Sequence, residues 1–514
     1  MLEANMRAAG KLGESQIRLR YSGFILFAFR LFSVGTSLLF TLMITRSVSP
    51  EEYGIYGNFG DVISYFTLAS TIIPFWVTRF VARGHSSSSK TGLVANLSVA
   101  AISALIYLFM LGWIMSAFQI SREYSIFYLA GASLIFAVHF SAVLESILYS
   151  KRPETLGFGL FVFEISRVLL GFLIIFIFRL GLIGILLSHV TAILIQSAFY
   201  MRLLMREFMG NIKWDYVREW LKGSLLNIYG IISGRILTLA NIFLFIYCGE
   251  LSRAYYGASS AIASIIGYSS SLAFALYPKL LSGAEAKDVE LSLKMVLMFA
   301  IPMSLGAITL SEEILLILGQ SYGPAWRALI ILALNMLVSA PSSVFDSVIS
   351  GMERLDAEAK ISYRGVVRSR LFLLLTLYYV QAAIVTPLSY AIFSSVSLDA
   401  LAAVVYLAII STIANIIITL AKYALAKRCL KFSIPWASIA KYLGVSLIMA
   451  LILYLLQTPA RLTITVAKTL FGGLVYFLIL LAVDRETREI ARLVRGKASR
   501  MLNQIGLMEN EFEG

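Results

Sequence analysis

Apolar runs of twenty residues and more, broken by short polar segments, recur along the whole chain. A helix rising 1.5 Å per residue needs about 20 apolar residues to cross roughly 30 Å of hydrocarbon. Against that length the pattern predicts fourteen helices: 22–45, 56–78, 91–118, 125–149, 157–178, 180–204, 223–247, 254–281, 288–310, 324–350, 366–388, 396–421, 437–457 and 463–483. The least regular stretch is 366–421, where Pro387 and the polar 394–399 segment divide two spans. The connecting segments are too short to fold as domains outside a membrane. The first apolar run is too long for the core of a signal peptide, so no cleavage is expected.

Composition agrees. Of 514 residues, 59% are hydrophobic and 14% charged, against about 45–50% and 25% in soluble chains. A water-soluble particle is excluded. The net charge of +14 would suggest nucleic acid in a soluble protein, but here the basic residues sit between apolar runs. Placing the N-terminus inside assigns 33 of the 43 Lys and Arg residues to the cytoplasmic side. Seven fall outside: Arg46, Arg122, Arg179, Arg253, Arg327, Arg461 and Lys468. One missed helix would invert every later assignment, so the bias predicts a multi-pass protein of the cytoplasmic membrane with both termini cytoplasmic and no nucleic-acid partner. Cys248 and Cys429 end different spans on opposite faces, so neither a disulfide nor a cysteine metal site is expected, nor any other metal or cofactor. From Arg485 the tail is basic, with Ile490, Leu493 and Val494 interleaved; it reads either as an interfacial helix or as a solvated tail.

The chain also repeats itself. Ser141-Ala-Val-Leu-Glu145-Ser-Ile-Leu-Tyr-Ser150 matches Ser342-Ser-Val-Phe-Asp346-Ser-Val-Ile-Ser-Gly351 at an offset of 201. Near that offset Tyr56-Gly57 matches Tyr256-Gly257, Ser64 and Ser70 match Ser264 and Ser270, and Arg79 matches Lys279. Six helices per copy means that both copies enter the membrane in the same direction. They are then expected to be related by an axis along the membrane normal, with a substrate site at their interface. The organisation predicted is two parallel six-helix lobes, 1–205 and 206–425, then two further helices in 426–484 and a tail over 485–514.

The segment Arg46-Ser-Val-Ser-Pro50-Glu51-Glu52-Tyr53-Gly54-Ile55-Tyr56 resembles the signature that closes the first helix of the Wzx-like polysaccharide flippases. These belong to the multidrug/oligosaccharidyl-lipid/polysaccharide (MOP) exporter superfamily, which includes the MATE drug transporters. The second copy is similar at Glu250-Leu-Ser-Arg253-Ala-Tyr-Tyr256-Gly257 and at Tyr277-Pro278-Lys279-Leu280. The resemblance implies two lobes around a cavity open alternately to each side. It also implies a substrate of sugar units on a polyprenyl phosphate or diphosphate.

Ionisable residues at hydrocarbon depth cost a few kcal/mol each, which makes them functional candidates. Arg30 and Arg235 lie well inside the first and seventh helices, which the duplication makes equivalent. Facing one cavity, two guanidinium forks would suit a phosphate; otherwise each snorkels or bonds a neighbouring carbonyl. Arg167 follows Glu164 by three residues on one helical face, which allows a substrate role or mutual neutralisation. Glu145 and Asp346 could gate, couple to protons, or simply be solvated at helix ends. Asp61 sits near the external mouth of the second helix. His139 is a packing residue or a proton relay. Gly230 and Gly234 permit close helix approach, and Pro302 and Pro341 predict kinks.

The function expected is a secondary transporter, not an enzyme. It would flip lipid-linked oligosaccharide, with membrane lipids, a coupling H+ or Na+ and the polysaccharide assembly machinery as partners. A cation-coupled multidrug antiporter of the same superfamily is one alternative. A membrane glycosyltransferase with Glu51-Glu52 as catalytic carboxylates is another, against a solvated turn after Pro50.

Overall fold

The computed structural model describes residues 29, 32–85, 87–273, 276–281, 285–352, 369–456, 458–484 and 487–488. Every regular element among them is helical. We number them α1 (32–47), α2 (Pro50–Phe66), α3 (Ile72–Ala82), α4 (Ser87–Ala117), α5 (Ser125–Lys151), α6 (Glu154–Gly171), α7 (Gly181–Leu204), α8 (Trp214–Gly223) and α9 (Leu225–Gly267). There follow α10 (Leu276–Leu281), α11 (Ala286–Thr309), α12 (Ser311–Leu318), α13 (Trp326–Gly351), α14 (Arg370–Ser395), α15 (Ala400–Cys429), α16 (Trp436–Leu455) and α17 (Leu462–Val483).

Eleven helical stretches among the described residues are long and apolar enough to cross a membrane, and α2 with α3 forms a bent twelfth. One of the eleven is double length: the 43 residues of α9 would run about 65 Å if straight, twice the hydrocarbon thickness. The helix breaks at Gly249, whose φ of 84° and ψ of 175° are open to glycine at no steric cost. The expected fourteen further requires that break to separate two spans and α1 to extend into residues outside the description.

Several boundaries differ from the sequence expectation. α2 starts at Pro50, not 56, because Ser49 and Glu52 form a capping box: the Ser49 hydroxyl accepts from the Glu52 amide at 3.2 Å and Glu52 Oε2 from the Ser49 amide at 3.0 Å. The turn expected after Pro50 is therefore the first turn of a helix. The single span expected over 56–78 is bent by 54° at Thr67, between Pro50–Phe66 and Leu68–Ala82, the latter opening with a 3-10 turn over Leu68–Thr71. Thr67 bonds back to the Ile63 carbonyl, and Pro74, lacking an amide hydrogen, removes a bond from the next turn. α14 runs through Pro387 to Ser395, and α15 opens where Asp399 Oδ1 accepts from the Ala402 amide at 2.7 Å. Pro302 and Pro341 likewise lie inside unbroken helices.

The chain packs as two units, Met1–Ala261 with Leu318–Ala328 and Lys360–Ala414, and Ile262–Ile317 with Leu329–Ala359 and Asn415–Gly514. In the first, α3, α5, α7 and α8 bury Val77, Leu144, Leu148, Leu204 and Trp220 together. Polar side chains point inward beside them: Asn58, Ser88, Thr91 and Asn96 are fully buried, while Leu105 and Phe109 on α4 are exposed. Polar inside and apolar outside is the arrangement of helices solvated by lipid. In the second unit α11, α13, α16 and α17 enclose Met298, Ile301, Met449 and Tyr476. Between α11, α13 and α16 lies a cavity of about 410 Å³, lined among others by Leu297, Ile301, Leu337, Pro341 and Leu443.

Candidate functional site

The first unit holds two clusters of buried charge. On α6 the Arg167 guanidinium donates to Glu164 Oε2 at 2.6 Å and to the Ser37 hydroxyl at 2.9 Å. Thr36 donates to the same carboxylate oxygen at 2.8 Å, and the guanidinium lies over the Phe40 and Phe163 rings at 4.8 and 5.0 Å. Aromatic faces and a carboxylate together offset much of the cost of holding this cation out of water.

The second cluster joins α2 to both halves of α9. Arg253 Nε donates to Asp61 Oδ2 at 2.7 Å, and its Nη2 donates to the Gly57 carbonyl at 3.2 Å. Asn241 donates to the other Asp61 oxygen at 3.4 Å, and Tyr65 donates to the Arg235 carbonyl at 2.6 Å. Glycine makes the crossing possible. A Cβ on Gly54 would overlap the Glu250 carbonyl, and one on Gly57 would stand 3.0 Å from the Arg253 guanidinium. Gly257, at the repeat-related position, would bring a Cβ within 3.3 Å of that guanidinium. The Tyr-Gly pair present in both copies thus clears space for one arginine.

Arg235 is eleven residues into α9. Its guanidinium makes no ion pair among the described residues, and its Nε is buried without a hydrogen-bond partner. Arg30, its expected counterpart, lies outside the described residues. Gly230 faces Leu375 and Gly234 faces open space, so neither makes a close backbone approach.

The repeat-related carboxylates have different partners. Among the described residues Glu145 accepts from Ser141 on its own helix, at 3.2 Å, whereas Asp346 pairs in the second unit with buried Lys422 of α15 at 2.9 Å. His139 is fully buried, its Nδ1 2.8 Å from the Ile135 carbonyl, its own carbonyl accepting from Asn96 at 2.6 Å, its Nε2 unpartnered. The described residues contain no group of three or more His, Cys, Asp or Glu able to hold a metal, and both cysteines are free.

Sequence reasoning missed Arg253, which it placed in an external loop. The signal was present: at an offset of 200 Arg253 aligns with Tyr53, and so falls inside a helix that begins like α2. It also missed Lys422 and Lys468, the latter buried and bonded to Glu313 at 2.7 Å.

No protein-family model matches the chain, and no curated sequence does. Solved structures do, and they show the fold: it is the one shared by MurJ and the MATE transporters of the MOP superfamily. The lipid II flippase MurJ in an inward closed conformation matches with a TM-score of 0.69 at 16% identity, over 90% of this chain and 99% of its own. An inward-facing multidrug resistance MATE transporter of the same superfamily scores 0.57 at 13% identity, over 82% and 99%. A mutant of the Vibrio cholerae MATE transporter VcmN scores 0.53 at 13%, over 80% and 98%. These neighbours are transporters, not enzymes.

Proposed function

We propose that the chain is a secondary transporter that flips a lipid-linked oligosaccharide across the cytoplasmic membrane by alternating access, for the assembly of a surface glycan. The observation that carries this reading is Arg235, a guanidinium within an apolar helix that forms no ion pair among the described residues and whose Nε is buried without a hydrogen-bond partner. A phosphate or diphosphate would supply two oxygens to its fork. The likeness to MurJ, higher than that to the drug transporters, supports a lipid-linked substrate. Arg30 is the natural second ligand. The lobe boundaries after 205 and 425, the cytoplasmic termini and coupling to H+ or Na+ belong to the same proposal. Deleting the gene should make a lipid-linked glycan accumulate on the cytoplasmic face, measured by its inaccessibility to an external glycosidase. Normal export in the deletion strain would refute the reading.

A cation-coupled drug antiporter is favoured by one observation. Glu145 is a half-buried carboxylate without a cationic partner among the described residues. Drug efflux by purified protein in vesicles, abolished by Glu145→Gln and indifferent to Arg235→Ala, would establish that reading instead.

A further inference from the structure

Between α7 and α9 the chain makes a turn of 3-10 helix over Met205–Phe208 and then a short α-helix, α8, whose sides differ in chemistry. Trp220 is buried, its ring 5.5 Å from Phe80 and 6.1 Å from Tyr216, and Val217 packs on the same core. Both ends are tied down. The Lys213 amide donates to the Thr91 hydroxyl at 2.9 Å, and the Ser224 hydroxyl accepts from Trp76 Nε1 at 2.8 Å.

The remaining circumference is sorted. At roughly 100° per residue, Trp214 and Leu221 lie about 20° apart, next to the buried face. Arg218 and Lys222 follow within about 80° of Trp214, and Asp215 and Glu219 come last, at about 100–140°. Trp214 is 57% and Leu221 54% exposed, and none of the four charged residues forms an ion pair with another. The chain leading into the helix continues the theme, with exposed Met205, Met209 and Ile212 beside exposed Arg206 and Lys213.

A helix surrounded by water gains nothing by exposing Trp and Leu side by side. One sunk in hydrocarbon would not carry four charges. The sequence of faces — protein, apolar, basic, acidic — is the sequence of media around a helix lying flat at a bilayer boundary: bundle, acyl chains, headgroups, water. Cations at headgroup level with the acids turned away complement anionic headgroups. We propose that α8 is an interfacial anchor that binds anionic phospholipid, with Arg218 and Lys222 on the headgroups and Trp214 and Leu221 in the acyl boundary. This does not depend on what the protein transports.

The test uses the full chain carrying Cys248→Ser and Cys429→Ser, with one fluorophore attached at Leu221→Cys or Glu219→Cys, in phosphatidylcholine vesicles. Chain-labelled quencher lipid should quench the reporter at 221 and spare that at 219, and aqueous iodide should do the reverse. Spin-labelled phosphatidylglycerol should quench at 221 roughly three- to tenfold more than the phosphatidylcholine analogue at low salt. Arg218→Gln with Lys222→Gln should abolish that preference, while Arg218→Lys keeps it. Equal quenching by the two lipids, or equal iodide access at 221 and 219, overturns the proposal.

Discussion

Arg167 and Arg235 are both arginines held among apolar helices, yet the same substitution should have opposite meanings at the two sites. Arg167 is matched by Glu164, so Glu164→Leu leaves a buried cation without its anion and should cost about 3–5 kcal/mol, read as a lower melting temperature in detergent. Removing both charges should recover most of that loss, and transport should survive in the double variant if Arg167 is structural. Arg235 has no ion-pair partner to orphan among the described residues. Arg235→Ala should leave membrane abundance unchanged, or raise it, while transport falls; Arg235→Lys keeps the charge but not the planar fork and should fall less. Loss of transport only in proportion to loss of protein would remove Arg235 from the substrate site. Past the last span, Asp484 offers a pH test. Burial pushes its carboxyl up, but bonds from the Thr487 hydroxyl and amide and from Lys441 outweigh that and hold it below the usual carboxylate range. A depressed native pKa means stability present above the unfolded value and lost as pH falls through the native one. Protection of the Thr487 amide from hydrogen exchange should therefore persist through about pH 3.9, where an ordinary aspartate protonates, and vanish only below it. Sequence alone exposed Glu164, Arg167 and Arg235, because each is costly where it stands, but not Arg253, Lys422 or Lys468, which lie near helix ends or, for Arg253, near the break at Gly249. It did not expose the partners of Glu164, Asp61 and Asp346: Thr36, Asn241 and Lys422 come from helices far along the chain, and apolar runs carry no record of which faces meet.

At the scale of elements, the helices were legible because hydrocarbon thickness imposes a length on each apolar run. Their ends were less so where a cap or a break decides them. Ser49-Pro50-Glu51-Glu52 is a helix start in plain view, and Asp399 is another, yet both lie in polar segments that hydropathy treats as loops. The break after α2 is also informative. Leu68–Thr71 is a tight turn of 3-10 helix, and Tyr268–Ala273 is another, two hundred residues on. Each follows a helix opening near the repeat-related positions 50 and 250. This recurrence is conformational, and so independent of the residue matches from which a duplication was read. The crossing of α2 with α9 yields a further expectation. Gly54→Ala forces the two helices apart at the Glu250 carbonyl, and should be at least as damaging as an overpacked core, about 1–3 kcal/mol. Gly60→Ala, where a Cβ meets nothing within 4 Å, is the control. Comparable melting temperatures for the two variants would show that the crossing is not tight.

Over the whole molecule, the ion pairs bear on the path of the chain. Asp61 with Arg253 and Glu313 with Lys468 join residues that the charge bias places outside. Lys151 with Glu207, Lys279 with Asp288, Asp346 with Lys422 and Lys441 with Asp484 join residues that it places inside. A miscounted helix between any two partners would have put them on opposite faces of a membrane. A cysteine at Glu51 should react with an impermeant reagent added to intact cells, and one at Lys213 only after the membrane is opened; the reverse pattern would turn the molecule over.

The bond between Asp61 and Arg253 has one more consequence. At an offset of 200 Asp61 corresponds to Ala261 and Arg253 to Tyr53, so each copy of the repeat now holds one half of a complementary pair. Two first copies brought together would bury aspartates with no cation, and two second copies would bury arginines with no anion. On the duplication expected from the sequence, two identical copies could not form this bond, so it would tie the function of each half to the presence of the other.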